Sequence, residues 1–300
     1  MLNFIGIFEK GLPMRFIHLT DLHGSSPVAK NYFSKRALGL FSWKKRRHLQ
    51  HNNQFLRLLI DNVKAEKPDL VIITGDIVQL GTESEIQSAK NWLLEYFEGL
   101  QIMIVPGNHD NYAPDSLAFL LKHWSEFLQI SSDFPWVREF KNLALVGLMS
   151  AQPMPFWSAR GDLGARQLAK LKIILAENKD KLICMFMHHP PYLEGINRRK
   201  SLKMTKQLEQ LLSDYQVALI CHGHLHRNIE FNGLNPTRVF CTASASACLG
   251  DNLSSYRIFE LGCGLKQSEI STTLKQLELN SFSYRTISKR SWTVAREFPD

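Results

Sequence analysis

Asp21-Leu22-His23, Gly75-Asp76, Gly107-Asn108-His109-Asp110, His188-His189-Pro190 and Gly223-His224-Leu225-His226 are five short segments rich in carboxylate, imidazole and amide donors. Carboxylate oxygens combined with neutral imidazole nitrogens suit borderline divalent ions such as manganese, iron, zinc, cobalt or nickel. An all-oxygen set would favour magnesium or calcium, and thiolates would favour zinc. A carboxylate placed between two such ions also offsets their mutual repulsion at a separation of roughly 3.5 Å. The chemistry these residues invite is the binding of paired divalent metals and the activation of water by them.

Such residues need rigid supports, and the apolar runs before them supply these. Runs 16–19, 70–73, 102–105, 183–187 and 217–220 each end within a few residues of one segment and read as buried strands. The segments therefore fall at strand C-terminal ends, the rim of an α/β sheet where several strands deliver side chains to one place. Helical stretches at 53–64, 83–97, 115–128, 165–176 and 202–213 alternate with the strands and predict an α/β architecture. Later runs at 229–232, 237–242 and 256–261 have no helices between them, so part of the sheet is expected to be antiparallel. No Ser/Gly/Pro-rich linker divides the segments and no repeat is visible, which points to one catalytic domain over 14–266. Residues 1–13 read as an N-terminal extension, and 267–300 as either an added hairpin or a tail.

Singly, each segment has an ordinary reading as a turn, a cap or a strand ending. Gly107-Asn108-His109-Asp110 is more pointed, because asparagine is an unusual metal ligand and the glycine permits a tight turn. Together, in this order and each behind a strand, the five segments resemble the calcineurin-like metallophosphoesterases from about Phe16 to about Phe259, in a bacterial phosphodiesterase or pyrophosphatase-type form. The resemblance implies two packed mixed sheets flanked by helices, a four-layer αββα sandwich. It implies two divalent ions, manganese foremost, with iron, zinc or cobalt as alternatives. Asp21, His23 and His226 would hold one ion, Asn108, His188 and His224 the other, and Asp76 would bridge both. His109 would not be a ligand but would reach the phosphoryl oxygens or the leaving group.

Hydrolysis of a phosphoester is the expected reaction. Two cations sharing a water supply hydroxide near neutral pH and neutralise phosphate oxygens during in-line attack. His109 and Asp76 are the catalytic candidates, with His109 set to protonate the departing alkoxide or to stabilise phosphoryl charge. The ordinary alternative for His109 is a histidine tied to Asp110. Asp110, His189, Arg198 and Arg199 are candidates for substrate contact or for support behind the ligands. His222 is either a similar neighbour or a satisfied strand histidine. The cluster Arg198-Arg199-Lys200 with Lys203 and Lys206 either recognises a further phosphate or is an exposed loop.

Charge is unevenly spread. Between Gly24 and Ile60 lie eight basic residues and no acidic one, an excess equal to the formal net charge of +8 for the whole chain. The stretch reads as an insertion, about 24–52, whose Lys35, Arg36, Trp43, Lys44, Lys45, Arg46 and Arg47 fit an anionic membrane surface: aromatics enter the headgroup boundary while cations attract lipid phosphates. Packing of its apolar residues on the core beside a solvated basic face is a second reading. Nucleic-acid binding is a third, without a recognised module to support it. No feature points to a protein partner.

The five cysteines are odd in number, form no Cys-x-x-Cys pair and sit mostly in apolar strands, so reduced thiols and a cytoplasmic setting are expected, peripheral on the inner face of the membrane if the insertion binds lipid. The apolar run at the N-terminus is too short for a signal peptide, and Met14 is an alternative start. The leading expectation is hydrolysis of a phosphodiester or pyrophosphate bond, with a membrane-associated substrate like UDP-diacylglucosamine suggested by the insertion. A 3',5'-cyclic-nucleotide phosphodiesterase is the alternative. A non-catalytic scaffold on the same fold, as in a retromer subunit, would be expected to lose ligands, whereas all seven are kept here. A nuclease would be expected to carry helicase-associated or capping domains.

Overall fold

Short apolar runs rich in β-branched residues are buried on both faces when other layers cover them, and they set the frame of this protein. A computed structural model describes residues 13–25, 27, 35–45, 47–129, 133–234, 237–264 and 267–295. Strand β1 (Met14–Leu19) pairs in parallel with β2 (Leu70–Ile73), which pairs in parallel with β3 (Ile102–Ile104). The second sheet begins with β4 (Trp136–Phe140) and β5 (Leu143–Gly147) and continues through β7 (Leu182–Phe186), β9 (Leu219–His222), β10 (Ile229–Leu234) and β11 (Thr237–Cys241), in the order β10-β11-β9-β7-β5-β4. Its four central strands are parallel and its two edge strands antiparallel. β6 (Gly161–Asp162) and β8 (Leu202–Lys203) form a separate parallel pair. Antiparallel β12 (Ser255–Cys263) flanks β1, and β13 (Gln267–Glu278) with β14 (Ser283–Ala295) extend the first sheet as a hairpin. Both sheets are therefore mixed.

The two sheets pack face to face. Phe16 of β1 meets Phe186 of β7 edge-on at 5.5 Å and stacks on Phe259 at 4.8 Å, and Phe259 meets Phe240 of β11 at 5.3 Å. Strand alternation divides the second sheet cleanly. Leu145, Cys184, Phe186, Leu219 and Cys221 join the inter-sheet cluster, whereas Ala144, Val146, Ile183, Met185 and Ile220 join a second cluster with α5 (Ala165–Glu177) and α6 (Thr205–Asp214). Helices α2 (Asn53–Ala65), α3 (Glu83–Tyr96) and α4 (Ser116–Leu128) add Leu56, Leu59, Ile86, Leu93 and Leu120 to the cluster of the first sheet.

Two of the element boundaries that differ from the sequence expectation bear on the site. The helix expected from 202 starts at Thr205, because Leu202 and Lys203 pair with β6 and Met204 turns left-handed at φ 62°. The strand expected at 217–220 runs to His222, which carries it up to the Gly223 turn.

Helix α1 (Lys35–Lys45) lies in the basic stretch. Two of its cations turn inward. Arg36 forms a two-pronged ion pair with Asp115 at 2.8 and 2.6 Å and donates to the carbonyls of Leu80 and Gly81. Lys35 Nζ donates to Tyr112 O at 2.7 Å and sits 3.9 Å above the Tyr112 ring. Lys44, Lys45, Leu38 and Phe41 are exposed, and Trp43 is half-buried. Residues 1–12, Lys30, Tyr32, Phe33 and Arg46 lie outside the described residues, as does the side chain of Arg47. Among the described residues no helix is long and apolar enough to cross a membrane.

Candidate metal centre and active site

The strand exits are stitched to one another. Asp21 N donates to Gly75 O at 2.8 Å and His23 N to Asp76 O at 2.9 Å, so the turns after β1 and β2 run side by side. Gly75 adopts φ 89°, and a side chain there would strike the backbone of Gly107; only glycine lets the turns after β2 and β3 touch. Asp21, His23, Asp76, His224 and His226 all have positive φ, between 46° and 69°. Non-glycine residues held in this region store about 1–3 kcal/mol each and persist where surrounding structure over-determines them, typically at functional sites. Here the strain marks five of the seven residues expected to hold metal.

The seven converge in two groups. His188 Nε2 lies 3.1 Å from Asn108 Oδ1, 3.2 Å from His224 Nδ1 and 3.3 Å from Asp76 Oδ2. His188 Nδ1 donates to Thr74 O at 2.7 Å, which leaves the Nε2 lone pair facing the other three atoms in the neutral ring. Ligand atoms about 2.1 Å from one ion sit roughly 3.0–3.4 Å apart, so this spacing of acceptors fits a shared cation. In the second group, Asp21 Oδ1 is 3.1 Å from His226 Nε2 and 4.0 Å from His23 Nε2, and Asp21, His23 and Asp76 offer atoms within 4.8 Å of one another. Buried Asp21 Oδ1 makes no hydrogen bond, an expensive condition unless another partner serves it. The donor set fits two divalent ions, bridged through Asp76.

Electrostatics agree. Burial works against ionised Asp21 and Asp76, yet His226 and His188 beside Asp21, and His188 and His109 beside Asp76, hold both carboxyls below the usual range. Burial alone would lower His188, but Asp76 outweighs it and lifts the imidazole to about 9. The pocket thus favours positive charge at that nitrogen. His23 and His224 are pushed down, chiefly by burial and by neighbouring imidazoles, which favours the neutral form a ligand needs.

The remaining candidates occupy different places. His109 N donates to Asp76 Oδ1 at 2.7 Å and its Nδ1 donates to Gln79 O at 2.6 Å, which fixes the tautomer; the ring stacks near Tyr112. Asp110 does not face the cluster as a donor. Its Oδ1 accepts from the amides of Ile77 and Val78, and its Oδ2 from that of Gly107, tying two turns together. Burial and Asp76 push it up to about 7 while those amides of Gly107 and Val78 pull it down. His189 is engaged at both nitrogens, accepting from Ser150 Oγ at 2.9 Å and donating to Ala159 O at 3.2 Å, although its ring lies 4.4 Å from that of His224. Arg199 and Lys200 border a cavity of about 440 Å³ that also meets Asn108, His109, Lys35 and Trp157. Arg198 is exposed and does not line it.

Two participants escaped the sequence. His51, in the basic stretch, packs its ring 4.3 Å from that of His23. Buried Glu85 accepts from the amides of Gln79 and Leu80 and from Ser25 Oγ, fixing the loop behind His109. Thr82 and Glu85 form a capping box on α3, a pattern visible in Thr82-Glu83-Ser84-Glu85, but nothing in it announces the further bonds.

A carboxylate bridging two imidazole-rich groups at strand ends matches a known sequence profile: that of the calcineurin-like phosphoesterases fits residues 14–228. The chain belongs to that family. Among calcineurin-like relatives, a probable glycerophosphodiester phosphodiesterase GpdQ of Arcobacter nitrofigilis is 34% identical over 181 residues, or 57% of this chain and 60% of that protein. A probable cyclic nucleotide phosphodiesterase of Vesicomyosocius okutanii is 25% identical over 193 residues, 63% of this chain and 76% of its own. A dimetal phosphatase from Danio rerio superposes with a TM-score of 0.65 at 14% identity, covering 95% of this chain and all of the other. A purple acid phosphatase from yellow lupin gives 0.58 at 13% identity over 95% of this chain and 54% of its own. These structural likenesses speak for the fold. The chain spans 60% of the length of the Arcobacter relative.

Proposed function

We propose that this chain is a dinuclear metal-dependent phosphodiesterase. The observation that carries the reading is the convergence of four acceptor atoms, His188 Nε2, Asn108 Oδ1, His224 Nδ1 and Asp76 Oδ2, at separations suited to a shared cation. Asp21, His23, Asp76 and His226 would hold one divalent ion and Asp76, Asn108, His188 and His224 the other. Bound there, the two ions would neutralise phosphate oxygens and lower the pKa of water. Manganese is the first ion to supply, and iron, zinc and cobalt suit the same donors.

The chain's own groups do the rest. With Nδ1 committed to Gln79 O, proton exchange between His109 and the leaving group falls to Nε2. The adjoining cavity pairs Phe156 and Trp157 with Lys35, Arg199 and Lys200, so it suits an organic group that has a flat face and further negative charge. That composition supports a nucleotide-bearing ester, and the names of the relatives favour diesters, including cyclic nucleotides.

A second reading, a nucleotide-linked lipid such as UDP-diacylglucosamine cleaved at its pyrophosphate, draws on α1. Leu38 and Phe41 are 52% and 67% exposed beside Lys44 and Lys45, a surface suited to the cytoplasmic headgroup boundary of an anionic membrane. Purified protein with manganese should hydrolyse bis-p-nitrophenyl phosphate, and Asp76→Asn should lower kcat by roughly 10³-fold or more. A panel of cyclic AMP, a glycerophosphodiester and UDP-diacylglucosamine in vesicles then separates the readings. Full activity in Asp76→Asn would refute the shared-carboxylate site.

A further inference from the structure

We infer that His51 is an additional imidazole donor at the first metal position, alongside His23 and His226; this rests on the dinuclear reading above. Its ring lies 4.3 Å from that of His23 and 5.7 Å from that of His226, centroid to centroid. A donor atom from each of the three lies within 4.8 Å of the others. No sequence neighbour of His51 belongs to the five ligand segments. It reaches them because its own segment is sewn to the loop after β11.

The stitching is specific. Asn52 N donates to Ser246 O at 2.9 Å and Cys248 N to Gln50 O at 3.1 Å, around an antiparallel bridge between His51 and Ala247. The same loop supports the first metal position directly, since Ser244 Oγ donates to Asp21 O at 2.6 Å. Just beyond the bridge, Asn52 caps α2 by accepting from Gln54 N, which fixes where the strap ends.

One neutral tautomer of His51 places a lone pair where a cation could use it. The hydroxyl proton of Ser244 is committed to Asp21 O, so Ser244 Oγ can only accept from its other neighbours, and Ser246 Oγ and His51 Nδ1 both lie 3.4 Å from it. His51 Nδ1 lies 2.8 Å from Ser246 Oγ, and in one of its two neutral tautomers it donates there. In that tautomer the lone pair is on Nε2. This is the arrangement metal-bound histidines commonly show, one nitrogen tied to a fixed oxygen and the other turned to the ion. With His51 the first position would have three imidazoles and two carboxylates, a nitrogen-rich set that tilts preference from manganese toward cobalt or zinc.

Cobalt(II) reports on this without relying on turnover. The parent protein should take up two cobalt ions, followed by calorimetry and by visible absorption. His51→Ala should weaken one of the two by roughly 10–100-fold and change its absorption band while the other stays as it was. Manganese affinity should fall less than cobalt affinity. Thermal melts without metal separate loss of a ligand from loss of the strap, and His51→Gln, which can still bond Ser246, serves if the alanine variant does not fold. Two cobalt ions bound by a folded His51→Ala variant with parental affinities and spectrum would overturn the inference. A parent that binds one ion, lost in His51→Ala, would support His51 and refute the dinuclear reading; a parent that binds none refutes both.

Discussion

Gly223→Ala tests how tightly the exit of β9 grips Asp21, the proposed first metal ligand. A Cβ at 223 would fall 2.5 Å from Asp21 Oδ2 and would overlap the Thr20 hydroxyl. Ordinary contact begins near 3.4 Å, so the carboxylate must retreat by about 1 Å and the threonine hydroxyl by more. Oδ2 now accepts from Thr20 Oγ1 at 2.8 Å and from His224 N at 3.0 Å, and both bonds cross the gap the methyl would fill. Overpacking of this kind costs about 1–3 kcal/mol. For a chain of 300 residues, an unfolding entropy of about 2.1 cal/mol/K per residue converts that to a fall of roughly 2–5 °C in the melting temperature. Catalysis should suffer far more, because a displacement of about 1 Å can cost on the order of 100-fold. Differential scanning fluorimetry on metal-free protein gives the first quantity, and manganese titration with bis-p-nitrophenyl phosphate gives the second. A folded Gly223→Ala protein with parental kcat and metal affinity would show that Asp21 is not held as argued.

Asp110→Asn keeps shape but must turn an amide NH₂ toward at least one of the three backbone amides it now serves; one buried N–H left unserved costs about 1–3 kcal/mol, and a melt identical to the parent would refute that role. Lys35, lowered to about 8 by burial and by Arg36, carries its charge below that pH and loses it above, so KM for an anionic diester should rise as pH passes 8. Lys35→Met should flatten that limb of the profile, and a persistent limb would assign it elsewhere. Replacing Phe41, Lys44 and Lys45 by Ser, Gln and Gln should reduce co-sedimentation with anionic vesicles without changing turnover of a soluble diester; unchanged sedimentation would remove α1 from lipid contact.

The layout of the sheets was legible because burial on two faces demands what can be counted in a sequence, namely uninterrupted apolar runs. Leu70–Ile73 is a strand with the expected bounds, and all five segments stand just beyond a strand end. The α6 start was misread because Leu202 carries helical periodicity while its backbone is claimed by Gly161, 41 residues away, and pairing of that range leaves no local trace. His51 was invisible for the same reason at larger scale: its partner Ala247 is 196 residues distant, and neither residue is remarkable alone.

The basic stretch teaches the opposite lesson, since composition there was conspicuous but ambiguous. Lys35 and Arg36 contributed to the count of cations that suggested a membrane surface, yet their nearest acceptors are Tyr112 O, Leu80 O, Gly81 O and Asp115. Those residues flank His109 and the turn behind it, and Tyr112 stacks on His109 itself. At its other end the same stretch sets His51 against His23. Both anchored ends therefore touch the rim of the candidate site, while the exposed apolar and basic face of α1 lies between them. A charge count cannot distinguish such an arrangement from a solvated loop, because the distinction lies in which carbonyls the cations meet.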